Sequence, residues 1–296
     1  WPGSGRQILK NLEAGRRYLI EQPRKLMVVE KEEVKTMFVR SEDIPRVVPR
    51  EQFFNDFERQ PLLPAKHSQM GPGLAVGDVD RDGKEDFYVG HPSGRSGRLY
   101  QGAEGEGSSF SRKILPAFDA DSKSEDMAPL FFDADGDGDR DLYVVSGGVE
   151  CETGAAVLGD RLYLNDGAGN FSKAPASALP SVTESGSVVC AADFDRDGDT
   201  DLFVGGRVVP GRYPEVPASQ LLLNDGKGTF TNAAPESLAQ TGLVTSALWS
   251  DVDADGWVDL LVTHEWGPVK VFRNQEGQLL DASKDSGVGE LLGWWN

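Results

Sequence analysis

The chain has 296 residues, and its 48 acidic and 30 basic side chains give a formal net charge of −18. This acidic balance and the lack of basic clusters argue against a nucleic-acid partner, because such binding relies on Lys and Arg to neutralise phosphates. The sequence contains no apolar run of membrane-spanning length, so no membrane span is predicted.

The first 70 residues carry few chemically distinctive patterns. Residues 1–23 are predicted to form two short strands around a turn at 13–15, and they are too few for a core of their own. Residues 24–70 are predicted to be a linker with lead-in strands at 26–29 and 37–40. Within this stretch, residues 51–57 fit either a helical turn or an irregular crossing.

The remaining residues, 71–296, contain four copies of a nine-residue acidic sequence of the form DxDxDGxxD. The first residues of the copies, at positions 78, 133, 193 and 251, are separated by 55, 60 and 58 residues. This regular spacing predicts a repeat array. The copies, called metal loops 1 to 4 below, are Asp78–Asp86, Asp133–Asp141, Asp193–Asp201 and Asp251–Asp259.

The spacing of the carboxylates predicts about four Ca²⁺ sites, one in each repeat. Side chains at loop positions 1, 3 and 5 turn inward together, and the glycine at position 6 permits the left-handed turn that follows. The carbonyl at position 7 and the Asp at position 9 complete a cage of six to eight oxygens, which suits Ca²⁺ better than Mg²⁺. The predicted side-chain ligands are Asp78, Asp80, Asp82, Asp86, Asp133, Asp135, Asp137, Asp141, Asp193, Asp195, Asp197, Asp201, Asp251, Asp253, Asp255 and Asp259. The predicted carbonyl ligands are Lys84, Asp139, Asp199 and Trp257.

Two other interpretations of the acidic loops are weaker. An EF-hand needs a bidentate Glu at loop position 12, between two helices. Here position 12 is a valine in every copy, and each loop runs into a β-branched and aromatic segment that is typical of a strand. Plain polar turns also use Asp and Gly, but four copies that share the ninth-position Asp favour metal binding.

Strand-like segments before and after each loop predict an all-β fold, a β-propeller of four-stranded antiparallel blades. The turns at 165–171 and 224–230 contain Asn-Asp-Gly, which is typical of hairpins. Blades this wide commonly close in rings of about six or seven, so the four repeats predict an incomplete propeller with a fifth loop at about 306 to 311. The opening Trp1, in place of Met, and the terminal 293–296 segment agree with that expectation.

The loops resemble the FG-GAP or VCBS repeats of integrin α-like propellers, and the resemblance covers residues 71–296. Residues 1–23 look like the tail of an ASPIC/UnbV domain of the cartilage-acidic-protein-like family, and residues 54–72 look like the lead-in to a propeller. The resemblance implies a secreted, periplasmic or cell-surface protein whose propeller serves in adhesion or as a scaffold. An environment with millimolar calcium is consistent with that location.

The leading functional hypothesis is a non-catalytic, calcium-binding module with an unknown protein or glycan ligand, because metal ligation and turn geometry account for the distinctive residues. The alternative is a calcium-dependent carbohydrate-active enzyme, a polysaccharide lyase or hydrolase, built on the propeller. The most site-like cluster for such an enzyme is His264-Glu265-Trp266. Sugar stacking and interblade packing are both open for Trp249, Trp257, Trp294 and Trp295, although packing is favoured.

The cysteines Cys151 and Cys190 are compatible with a disulfide in an oxidising compartment. A buried free thiol is the alternative for Cys190, which lies on a predicted strand before metal loop 3.

Overall fold

The computed structural model describes residues 17–20, 45, 47–103 and 110–295. The chain divides into two compact units, Trp1–Glu42 and Asp43–Asn296. In the first unit only Arg17–Ile20 is described, and these residues are exposed and without regular secondary structure. The predicted strands at 26–29 and 37–40, and most of the predicted ASPIC/UnbV-like remnant, lie outside the described residues.

The second unit contains four antiparallel sheets of four strands, and each sheet is one blade. Blade 1 consists of β1 Leu74–Gly77, β2 Asp86–Val89, β3 Arg98–Gln101 and β4 Ser111–Lys113. Blade 2 consists of β5 Glu125–Phe132, β6 Asp141–Gly147, β7 Arg161–Leu164 and β8 Ser172–Lys173. Blade 3 consists of β9 Ser185–Ala192, β10 Asp201–Val208, β11 Gln220–Asn224 and β12 Phe230–Asn232. Blade 4 consists of β13 Leu243–Ser250, β14 Asp259–Glu265, β16 Lys270–Asn274 and β17 Leu279–Asp281.

The helical elements are short and lie in connections between strands. They are α1 Asp56–Arg59, α2 Pro116–Ala120, α3 Glu236–Ala239 and a 3-10 turn at Ala156–Leu158. The helical turn allowed for by the 51–57 sequence therefore begins only at Asp56. A two-stranded sheet joins β15 Gly267–Pro268 to β18 Leu292–Gly293, so the segment expected to start a fifth repeat pairs back onto blade 4.

The blades pack face to face because alternate residues of a strand point to opposite sides of its sheet. On β6, Leu142 and Val144 pack in the cluster shared with blade 1, whereas Tyr143 and Val145 pack in the cluster shared with blade 3. A strand buried on both faces needs a continuous apolar run. This requirement explains why the segments after the metal loops are apolar without alternation.

The first strands of successive blades are neighbours, with β1 next to β5, β5 next to β9 and β9 next to β13. Three apolar clusters fill the three interfaces between the four blades. The array is open: Leu74 on blade 1 and Leu248 on blade 4 are each 60% exposed, on the faces that have no neighbouring blade among the described residues. The prediction of an all-β propeller of four-stranded blades is confirmed.

Candidate metal centres

Each metal loop connects the first strand of a blade to the second, so all four loops lie at the same end of their blades. The glycine at loop position 6 has a positive φ in every copy, between 83° and 98°. Position 4 is also left-handed, and there the residues are Arg81, Gly136, Arg196 and Ala254. The sequence revealed only the first of these two turns, because three of the four residues at position 4 have side chains that disfavour a positive φ.

The inward carboxylates are held by backbone N–H groups of their own loop. In metal loop 1 the Gly83 N–H donates to Asp78 Oδ2 at 2.9 Å, and the Lys84 N–H donates to Asp82 Oδ1 at 2.9 Å. Metal loop 2 repeats both bonds, at 3.0 and 2.9 Å. The curled backbone thus fixes the directions of the carboxylates.

In every loop, three carboxylates offer oxygens that lie within 4.8 Å of one another. The groups are Asp78, Asp80 and Asp86; Asp133, Asp135 and Asp141; Asp193, Asp195 and Asp197; and Asp251, Asp253 and Asp255. Such sets of hard oxygen donors fit Ca²⁺, and Asp78 Oδ1 is a buried oxygen without a hydrogen-bond partner. Four predicted side-chain ligands lie outside these groups: Asp82, Asp137, Asp201 and Asp259. The positions of Lys84, Asp139, Asp199 and Trp257 as carbonyl donors stay a prediction.

The ninth-position Asp has a structural role that the sequence did not reveal. Asp141 is fully buried, and it accepts the N–H of Ala134 and the N–H of Asn165, both at 2.8 Å. The equivalent carboxylates Asp86, Asp201 and Asp259 also accept one N–H from loop position 2 and one from the third-strand region. This Asp therefore ties the loop to the strands of its own blade.

Burial makes three of these carboxylates, Asp86, Asp141 and Asp201, difficult to ionise without a cation. Burial, opposed by the two accepted N–H bonds and helped by the nearby loop carboxylates, raises the pKa of Asp141 to about 7 and that of Asp201 to about 6. Burial likewise raises the pKa of Asp86. A bound divalent cation would favour the ionised form of each group.

At the end of the third strand in blades 2, 3 and 4, an asparagine links the blade to the loop of the preceding blade. The Nδ2 groups of Asn165, Asn224 and Asn274 donate to the carbonyls of Val79, Ala134 and Phe194, at 2.8, 2.9 and 2.8 Å. Each acceptor is position 2 of a metal loop. Sequence reasoning assigned the first two asparagines only to hairpin turns and missed Asn274, which no Asp-Gly follows.

Arginines at loop position 4 reach the next metal loop. The Arg81 guanidinium donates to the carbonyl of Asp137 at 3.5 Å, and that of Arg196 donates to the carbonyl of Gly256. Arg196 also lies over the ring of Trp257, 4.1 Å from its centroid. Loop 1 therefore contacts loop 2, and loop 3 contacts loop 4.

In the cluster His264-Glu265-Trp266, the most site-like one for the alternative enzyme function, His264 has a structural role and Glu265 lines a cavity. The ring of His264 is buried and bonded on both sides, with Nδ1 3.0 Å from the Pro268 carbonyl and Nε2 3.1 Å from Thr241 Oγ1. Burial lowers its pKa to about 4. Glu265 points instead into a cavity with His67 and Arg207, which are 198 and 58 residues away in the chain and which sequence reasoning missed.

The other singled-out residues are placed as follows. Trp249 packs in the cluster between blades 3 and 4, as expected, whereas Trp294 is 40% exposed at the cavity beside Glu265. Cys151 and Cys190 are not bonded to each other, and burial raises the pKa of Cys190 to about 12.

Comparison with protein families agrees with the repeat geometry. A model described as FG-GAP-like repeat matches residues 78–144, 133–204 and 217–262, which together are more than half of the chain. The chain belongs to the FG-GAP-like repeat family. Together, the matched segments of this FG-GAP-like protein contain all four metal loops.

One solved structure similar to this FG-GAP-like protein is an exotype rhamnogalacturonan lyase, YesX, at 13% sequence identity and a TM-score of 0.34. The similarity covers 72% of this chain and 43% of the lyase chain. No curated protein matches this FG-GAP-like chain. Among the described residues, no helix is both long and apolar enough to cross a bilayer.

Proposed function

We propose that this protein is a calcium-binding, non-catalytic propeller module that acts in binding or adhesion, or as a scaffold. The observation that carries the proposal is the recurrence of one carboxylate group, with oxygens within 4.8 Å of one another, at the same end of all four blades. Family membership supports the proposal, since the matched segments contain all four metal loops.

Charge repulsion gives calcium its role in the fold. Two carboxylates that lie about 4 to 5 Å apart repel by roughly 1 to 4 kcal/mol at an effective dielectric between about 20 and that of water. Every metal loop contains several such pairs. Because calcium binds the folded loops and not the unfolded chain, it stabilises the fold in proportion to the logarithm of its concentration.

The chemistry of the histidines supports a non-catalytic role. His67, His91 and His264 are all buried, and burial is the largest cause of a lowered pKa in each. Both ring nitrogens of His264 already have partners, so this side chain has no free position from which to take a substrate proton.

An extracellular, periplasmic or cell-surface location completes the proposal. Calcium at millimolar concentration saturates even weak sites of the extracellular type. The formal charge of −18 also favours an environment in which the acidic loops are neutralised by the cation.

Calcium titration of the EGTA-stripped protein, followed by calorimetry, tests the proposal. We expect four sites in the wild type and three after Asp253→Ala, with a lower melting temperature in EGTA than in calcium. Asp253 also forms a 3.4 Å ion pair with Arg273, so Arg273→Ala is the matched control that removes the ion pair and keeps the ligand. Unchanged melting in EGTA, or four sites of unchanged affinity in Asp253→Ala, would contradict the metal assignment.

A further inference from the structure

The first strands enclose a cavity of about 300 Å³ near their starting ends, here called the first-strand cavity. Met127, Ser187 and Thr245 line it, and each is the bulged residue of its strand, β5, β9 or β13. Metal loop 2 begins six positions after Met127, a distance of about 20 Å along a strand. The cavity is therefore distinct from the metal loops.

A buried polar network forms one wall of the first-strand cavity. Glu265 pairs with Arg207 and accepts the phenol hydrogen of Tyr213 at 2.8 Å, and His67 Nε2 lies 3.7 Å from the same carboxylate. Arg207 is nine-tenths buried, and its Nη1 has no hydrogen-bond partner. A buried guanidinium nitrogen without a partner is costly unless a ligand or water supplies an acceptor.

Two tryptophans at the rim form an exposed aromatic pair. Trp266 is 59% exposed and Trp294 is 40% exposed, and their ring centroids lie 4.4 Å apart. The indole N–H of Trp266 donates to the Tyr213 hydroxyl, which itself donates to Glu265. The orientation of this exposed indole is thus fixed by the buried ion pair, and fixing a side chain in advance lowers the entropy cost of binding.

Trp266 also has a positive φ of 59°, which is unfavourable for a large L-residue. Backbone strain of this kind is found preferentially at binding sites. A second cavity of about 330 Å³ shares Glu265 with the first and is lined by Trp266 and Lys270. Trp294 lines the first cavity and Trp266 lines the second. The two cavities therefore leave space on both sides of the aromatic pair for a ligand that contains more than one ring.

The charges around the first-strand cavity favour an anion. Two cationic side chains, Lys66 and Arg207, line this cavity, and Glu265 supplies the one carboxylate in its lining. Lys270 lines the second cavity. Burial and the nearby Arg207 lower the pKa of His67, so its ring is neutral at neutral pH. In a chain with a net charge of −18, a concave surface with excess positive charge is a local exception.

We propose that the first-strand cavity and its tryptophan pair bind an acidic oligosaccharide, with a uronate ring on the aromatic pair and its carboxylate toward Lys66 and Arg207. A sugar ring has an apolar C–H face that packs on an indole and a polar edge that hydrogen-bonds to hydroxyls and charged groups. Cationic side chains bind carboxylates by charge-assisted hydrogen bonds. The inference deepens the proposed binding role by naming its site and ligand class.

Tryptophan fluorescence titration of the full chain with a galacturonate trisaccharide and with a neutral galactose trisaccharide tests the proposal. We expect saturable quenching by the acidic sugar and binding at least about ten-fold weaker for the neutral sugar. Trp266→Ala should weaken acidic-sugar binding at least about ten-fold. Lys66→Ala should weaken acidic-sugar binding several-fold and leave neutral-sugar binding unchanged.

Two controls make the result decisive. Phe53→Ala removes an exposed aromatic ring and Lys227→Ala removes an exposed cation, both outside the cavity, and neither should change binding. Three results would each overturn the proposal. They are binding of neither sugar, equal binding of both sugars, and a Trp266→Ala variant that melts at the wild-type temperature and binds the acidic sugar as tightly as the wild type. Calcium stoichiometry, measured in the same samples, tests the metal function separately.

Discussion

Asn224 gives the sharpest test of how the blades and the metal loops depend on each other. Its Nδ2 donates to the Ala134 carbonyl of metal loop 2 at 2.9 Å and to the Thr200 carbonyl of its own loop at 3.3 Å. Asn224 is buried and is not a predicted metal ligand. Its replacement by alanine therefore changes an interblade contact and leaves every carboxylate in place.

The expected cost of Asn224→Ala follows from those two hydrogen bonds. Each contributes about 1 kcal/mol net, and a buried carbonyl that loses its donor adds about 1 kcal/mol more, so we expect about 2 to 3 kcal/mol of destabilisation. Because Ala134 is position 2 of metal loop 2, we also expect weaker calcium binding in that loop. This loss of calcium affinity should appear in metal loop 2, although Asn224 belongs to blade 3.

Urea unfolding in saturating calcium measures the first effect, and calcium titration measures the second. The matched control is Asp225→Ala, because Asp225 is exposed and bonds only to Lys227 and Thr229 in its own turn. We expect this control to cost less than about 1 kcal/mol and to leave all four calcium sites unchanged. Equal unfolding free energies for the two variants would refute the interblade link.

Three further predictions concern buried titratable groups and the strained loop positions. Because the pKa of His264 falls from 6.5 to about 4 on folding, the free energy of unfolding should decrease by about 3 kcal/mol as pH falls from 6.5 toward 4, and His264→Gln should flatten that slope in urea titrations. Burial, and then Glu150, raise the pKa of Glu125 from 4.5 to about 8, so stability is lost as pH rises through that range. Glu125→Gln should therefore be more stable than the wild type at pH 8, on the order of 4 kcal/mol, and a less stable variant would contradict the assignment. Ala254 has a φ of 60°, so Ala254→Gly should raise the stability measured in thermal melts by about 1 kcal/mol. The control Ala155→Gly, at a residue with a φ of −63°, should lower the stability.

The features that depend on local spacing follow from the amino-acid sequence alone. Carboxylates at alternate positions followed by glycine specify a curled loop wherever they occur, and the apolar segments that follow specify strands. The repeat period then fixed the order of the blades. Four-stranded antiparallel blades, with a metal loop between the first and second strands of each, were therefore predictable without tertiary information.

The contacts between blades, in contrast, follow from the packing of the folded chain and not from local sequence. The link from Asn274 to Phe194 spans 80 residues, and nothing in the local sequence shows that a turn asparagine will meet the loop of the preceding blade. The same holds for Glu265, Arg207 and His67, which lie on the second strands of blades 4 and 3 and ahead of blade 1, and which come together only in the folded array. Contacts of this kind depend on register and on the packing of one sheet against another, which no short stretch of sequence encodes.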